Sequence, residues 1–77
     1  MSLERRIEDA LKSGFVDAEI DLDLQGNKAL VQIVSPVFVG KSRVQRSKLV
    51  YQTIDEFIRS GELHAVTIKA ITQDERG

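Results

Sequence analysis

From Asp17 to Leu24 the chain alternates without a break, with Ala18, Ile20, Leu22 and Leu24 apolar and Asp17, Glu19, Asp21 and Asp23 acidic. Successive side chains of a β-strand point to opposite faces, so this segment buries one face and keeps the other in water. Such a strand belongs to a sheet covered on one side only. Gln25-Gly26-Asn27-Lys28 then reads as a tight turn, and the nearly continuous apolar run Leu30, Val31, Ile33 and Val34 suits a more buried partner strand. The resulting hairpin ends at Ser35-Pro36.

The rest of the chain supplies the cover. Ser2 can cap a first helix over residues 3 to 12, in which Leu3, Ile7, Ala10 and Leu11 recur at helical spacing and Gly14 offers the stop. A short helical turn is expected around Pro36 to Val39. Ser42 followed three residues later by Gln45 is a capping-box pattern opening a long helix, with Val44, Tyr51, Ile54 and Ile58 along one side, Val50 and Phe57 widening it, and Gly61 ending it. His64, Val66, Ile68 and Ala70 share one face of a last strand, for which a parallel crossover is the simplest closure. The expected fold class is therefore α+β, one small domain over residues 1–77 with a three-stranded mixed sheet, helices on one face, and a loose tail at 73–77.

At 77 residues the core is small, since a chain of about 60 residues buries only about 60% of its unfolded surface, and a deep enclosed active site is not expected. Net charge is only -1, but its distribution is uneven: residues 1–23 carry -4, residues 24–54 carry +5 with no acid at all, and residues 55–77 carry -2. Lys41, Arg43, Arg46 and Lys48 fall within eight residues at the start of the long helix, beside Gly40 and the capping Ser42. This is a candidate anion or phosphate site, in which an anionic partner would relieve the conflict between these cations and the helix dipole. The alternative is a solvated helix face. No Walker loop is present, because Ser35 stands where its first glycine belongs, so nucleotide hydrolysis is not expected.

With no cysteine, a metal held by this chain must use His64, carboxylates or a partner's ligands. One histidine is not a metal site, and on residue chemistry alone a hydrogen-bonded structural histidine outweighs a ligand. Nothing pairs a nucleophile with a base, so no enzyme is expected. Tyr51 is expected in the core with its hydroxyl at the edge, and the three phenylalanines are expected to face inward, which leaves no stacking platform for bases. Glu4, Arg5 and Arg6 interrupt the place where a signal peptide would be apolar, so a cytoplasmic residence without membrane contact is the expectation.

The block VSPVFVGKSRVQR (residues 34–46), LVY (49–51), the ELHAV segment with His64, and IKAIT (68–72) resemble the BolA family, and the first helix and hairpin fit the same order. That resemblance implies an αββααβ domain related to class II KH folds. It implies partnership with monothiol glutaredoxins, in which His64 joins the glutaredoxin cysteine and glutathione in holding a shared [2Fe-2S] cluster, in iron-sulfur cluster assembly or trafficking. It also implies a second activity, transcription regulation by DNA contact through Lys41 to Lys48, with Lys41, Ser42, Arg43, Arg46 and Lys48 as the binding set. The expected free state is a monomer or weak homodimer. Two departures stand out. Family members often carry a second His or Cys ligand in the loop that here reads Gln25-Gly26-Asn27-Lys28, and often a histidine where this chain has Ser47. A KH-type clamp is also incomplete, since Arg43 replaces the second glycine of a GxxG loop.

Overall fold

The computed structural model describes residues 2–76. Ser2 caps helix α1 (Leu3–Gly14) by accepting the Arg5 N–H at 3.1 Å, and Ile7 and Leu11 point fully inward. Gly14 does not act as a left-handed stop: it is the last helical residue, and a Cβ there would lie 2.9 Å from Thr53 Cγ2. Its smallness lets α1 approach the second long helix. Strand β1 (Glu19–Gln25) pairs antiparallel with β2 (Lys28–Val34), and β2 pairs parallel with β3 (Ala65–Ile71), in the order β1-β2-β3.

The alternation of β1 has the expected consequence, with Ile20, Leu22 and Leu24 half-buried and Glu19, Asp21 and Asp23 exposed. Central strand β2 buries Ala29, Val31 and Ile33 completely or nearly so. Leu30 is 49% exposed, because no helix covers the second face of the sheet. A 3-10 turn at Pro36–Phe38 follows, begun by Ser35, whose hydroxyl accepts the Val37 N–H, and it drops Phe38 into the core beside Phe15 at 5.7 Å.

Helix α2 (Arg43–Arg59) opens on the complete capping box, with Gln45 N–H donating to Ser42 Oγ at 3.2 Å and Ser42 N–H to Gln45 Oε1 at 2.8 Å. Its inward side differs from the expected stripe. Val50, Ile54 and Phe57 are buried, whereas Val44 is 64% and Tyr51 41% exposed. Following the buried set back by one turn reaches Arg46, whose side chain is only 14% exposed. Each fully buried aliphatic or aromatic side chain of this core contributes about 1.5–3 kcal/mol relative to exposure.

Where a loose tail is expected, residues 73–76 form a single helical turn, α3 (Gln73–Arg76), and Gly77 lies outside the described residues. Glu75 caps that turn by accepting the Thr72 N–H at 2.8 Å, and Arg76 reaches Glu19 of β1 in an ion pair. Among the described residues, no helix is long and apolar enough to cross a membrane.

Candidate functional site

Two hydrogen bonds align α2 with β3. Arg46 Nη1 donates to the Ala70 carbonyl at 3.1 Å, and the Tyr51 hydroxyl donates to the Val66 carbonyl at 3.3 Å. The two elements are therefore antiparallel, so the start of α2 sits at the end of β3. His64 precedes the first residue of β3, whereas Lys41, Arg43 and Arg46 line a cleft with its last residues, which separates the two by about 20 Å at about 3.3 Å per strand residue. The structure places the imidazole and the basic cluster at opposite ends of the sheet.

At the first end, the His64 backbone N–H donates to the Asn27 carbonyl at 2.9 Å, and Lys28 stands opposite Ala65 in the β2–β3 ladder. The hairpin turn at residues 25–28 is thus the immediate neighbour of His64. The imidazole is exposed, and no hydrogen bond or ion pair among the described residues engages it. This removes the structural reading of His64, which needs a bonded ring. The carboxylate nearest in sequence, Glu62, is committed elsewhere: it accepts Arg6 Nη1 at 2.7 Å and Ser60 Oγ at 2.8 Å, and these bonds, the Arg6 one foremost, hold its pKa below the ordinary carboxylate value. Arg6 also lies over the Phe57 ring at 5.3 Å, which ties α1 to this corner.

At the other end the five residues of the anion set are not equivalent. The Ser42 hydroxyl is used in the capping box, and Lys41 Nζ donates to the Val37 carbonyl at 2.8 Å. Arg46 is turned inward: its Nε donates to the Lys41 carbonyl at 2.9 Å, its guanidinium lies 6.0 Å from the Phe38 ring centre, and it holds Glu75 through two bonds at 2.6 and 3.2 Å. Those bonds, with the Thr72 N–H, lower the Glu75 pKa from 4.5 to about 2. Arg43 and Lys48 remain exposed. Arg46 is therefore a brace between α2, β3 and α3, and the reading of four surface cations is corrected to three, one of them partly engaged. Gly40 supplies the bend before α2 with φ of 77°, a left-handed conformation that favours glycine.

Comparison with known proteins agrees with this architecture and motif order. The family model described as BolA-like protein matches residues 24–75. The chain belongs to the BolA-like family. It is 41% identical over 70 residues to an uncharacterized protein of the rpoN-murA intergenic region in Acinetobacter guillouiae, covering 91% of this chain and 84% of that one. It is 33% identical over 69 residues to the acid stress protein IbaG of Escherichia coli K12, covering 90% of this chain and 82% of that one. Among solved structures, BolA1 from Arabidopsis thaliana superposes with a TM-score of 0.87 at 27% identity, over 97% of this chain and 96% of that one.

Within this BolA-like frame, the donor set can be tested against a cluster. Among the described residues, no group of three or more His, Cys, Asp or Glu side chains could hold a metal ion. The turn at 25–28 offers only amides and an ammonium, and Glu62 is occupied. The chain fits the role of a one-ligand contributor through His64 and does not fit that of a self-contained metal protein.

Proposed function

We propose that this BolA-like protein is an accessory factor of iron-sulfur cluster assembly or trafficking that docks a monothiol glutaredoxin at the His64 end of the sheet. The observation that carries the reading is the state of His64: its main chain is fixed by Asn27 while its imidazole is exposed and unengaged. An imidazole on a fixed main chain but left without a partner of its own is suited to entering the coordination of a metal held mainly by another protein. The shared [2Fe-2S] cluster would draw one ligand from this chain, His64, and one each from the glutaredoxin cysteine and glutathione, leaving the fourth position, for which the turn at residues 25–28 offers no His or Cys, to solvent or a carboxylate. Lys28, opposite Ala65, is placed to meet an anionic group of that assembly. The role is ligand exchange without substrate turnover.

Anaerobic reconstitution with a monothiol glutaredoxin, glutathione, iron and sulfide, read by visible circular dichroism, tests this. The mixed sample should give a spectrum distinct from glutaredoxin alone, and His64→Ala should abolish the difference while its far-ultraviolet spectrum stays native. A difference spectrum that survives in His64→Ala would remove the imidazole from the site.

The DNA reading, which would use Lys41, Arg43, Arg46 and Lys48, gains no specific support here. Arg46 already satisfies its fork internally, and Glu75 lines the same cleft as Lys41 and Arg43.

A further inference from the structure

Between the first turns of α2 and the outer edge of β3 runs a cleft of about 650 Å³, in the range of pockets that hold small ligands or a few residues of peptide. Residues 68–71 of β3 line one side of it. Ala65 N–H and the Ile71 carbonyl bond toward the β2 side, to Asn27 and Ser35, so the odd residues of β3 face β2 and the even ones face outward. Two outward carbonyls are taken by α2 side chains, that of Val66 by Tyr51 and that of Ala70 by Arg46. The outward N–H and carbonyl of Ile68 lie between them, and no side chain among the described residues takes them up. The edge is thus blunted at two carbonyls, and Ile68 is the residue between them that keeps both an outward donor and an outward acceptor. Arg43, Lys41 and Lys69 stand around that opening, and the only acid lining it, Glu75, is already bound to Arg46.

We propose that this cleft docks a short extended peptide segment bearing carboxylates, which pairs with the main chain of Ile68 and sets its acidic side chains against Arg43 and Lys69. Both requirements of strand addition are present: a free donor and acceptor for register, and flanking side chains for selection. The chain itself displays the chemistry the cleft accepts, since the Glu75 carboxylate sits in its upper end on a two-pronged guanidinium. A peptide fits better than a nucleic acid. The cations are few, and the residues that line the cleft include no aromatic ring on which a base could stack. Because two of the outward carbonyls are already occupied, affinity rests largely on the charges and should be salt-sensitive. This surface lies at the end of β3 away from His64, so it stands or falls separately from cluster sharing.

Titrating the 15N-labelled protein with an acetylated hexapeptide alternating valine and glutamate, and with its lysine-for-glutamate counterpart, decides the matter. The acidic peptide should shift the amides of Arg43, Ser47, Ile68 and Lys69. Arg43→Glu combined with Lys69→Glu, both exposed positions that keep the amide dispersion of a folded domain, should weaken it at least tenfold, and the basic peptide should shift none of these amides. No shift along residues 66–70 at millimolar acidic peptide overturns the proposal. Equal shifts with the basic peptide do so too, as does a 12-base-pair DNA duplex that moves the same amides when the acidic peptide does not.

Discussion

Replacing Arg46 by lysine separates its two possible roles, because lysine keeps the charge a phosphate would feel and loses the planar fork that the structure uses. In the folded protein the guanidinium satisfies the Lys41 and Ala70 carbonyls at 2.9 and 3.1 Å from a side chain only 14% exposed. An ammonium on a similar stem reaches one of these carbonyls, not both, and it cannot stack on Phe38. Losing one such bond and leaving its acceptor part-buried costs about 1–2 kcal/mol, and the lost packing over the Phe38 ring adds about 0.5 kcal/mol. The Glu75 ion pair is left out of that sum, since Glu75 is 45% exposed and solvent screens the pair.

A loss of about 2 kcal/mol lowers the melting temperature of a domain of this size by roughly 8–16 °C. Thermal and urea unfolding followed by circular dichroism at 222 nm (~ the usual helix band) would read it, with Lys48→Ala as the control on the same helix, expected within about 0.5 kcal/mol of wild type. If Arg46→Lys unfolds with the wild-type midpoint, the guanidinium is not a brace, and Arg46 returns to the set of free cations at the start of α2.

Two further perturbations test the packing and the C-terminal turn. Gly14→Ala should gain up to about 1 kcal/mol of helix propensity yet lose about 1–3 kcal/mol to overpacking, because its Cβ would meet Thr53 Cγ2 at 2.9 Å while the Thr53 hydroxyl is held by the Leu49 carbonyl at 3.0 Å. In a Thr53→Ala background the nearest remaining contact, the Cβ at 3.6 Å, is ordinary, so the same substitution should become neutral or stabilising; urea midpoints of the four proteins that simply add would show that the two residues do not oppose each other. For Glu75, a folded pKa of about 2 against 4.5 means that the unfolded chain binds the proton first as pH falls. Its contribution is therefore complete above about pH 4.5 and is lost as pH drops toward 2, so the stability gap between wild type and Glu75→Gln should close over that interval; a gap independent of pH would refute the linkage.

Which parts of the molecule could be read from the chain follows from what kind of signal each part leaves. Strand alternation, a capping box and a glycine after a helix are local patterns, and β1, the start of α2 and its end at Gly61 all agree with them. The inward side of α2 was legible at Val50, Ile54 and Phe57 but not in its first turn, because Val44 and Tyr51 extend an apolar stripe that the fold leaves exposed, while the position there that turns inward holds an arginine. The spacing of Arg46, Val50, Ile54 and Phe57 carried the information, but a hydropathy pattern discounts the one charged member. An arginine is buried when its neighbours offer carbonyls and a carboxylate, and here these come from residues 41, 70 and 75, two of them remote in sequence. The same remoteness explains the basic cluster: four adjacent cations suggest one surface, and only the docking of β3 and α3 reveals that one of them is structural.

His64 illustrates the converse. Its type and position were visible, but whether it is structural or free depends on partners that sequence cannot supply. Its main chain is tied to Asn27 across the sheet and its ring to no partner among the described residues, while Glu62, the acid nearest to it in the chain, is drawn away by Arg6 from α1. That arrangement leaves the imidazole without a local competitor or helper. Arg6→Ala would remove the foremost of the two bonds that hold Glu62, leaving that from Ser60, and in the reconstitution with glutaredoxin that variant should alter the mixed spectrum while His64→Ala removes it. An Arg6→Ala spectrum identical to wild type would mean that Glu62 has no access to the site even when released from Arg6, and that His64 acts alone on this side of the interface.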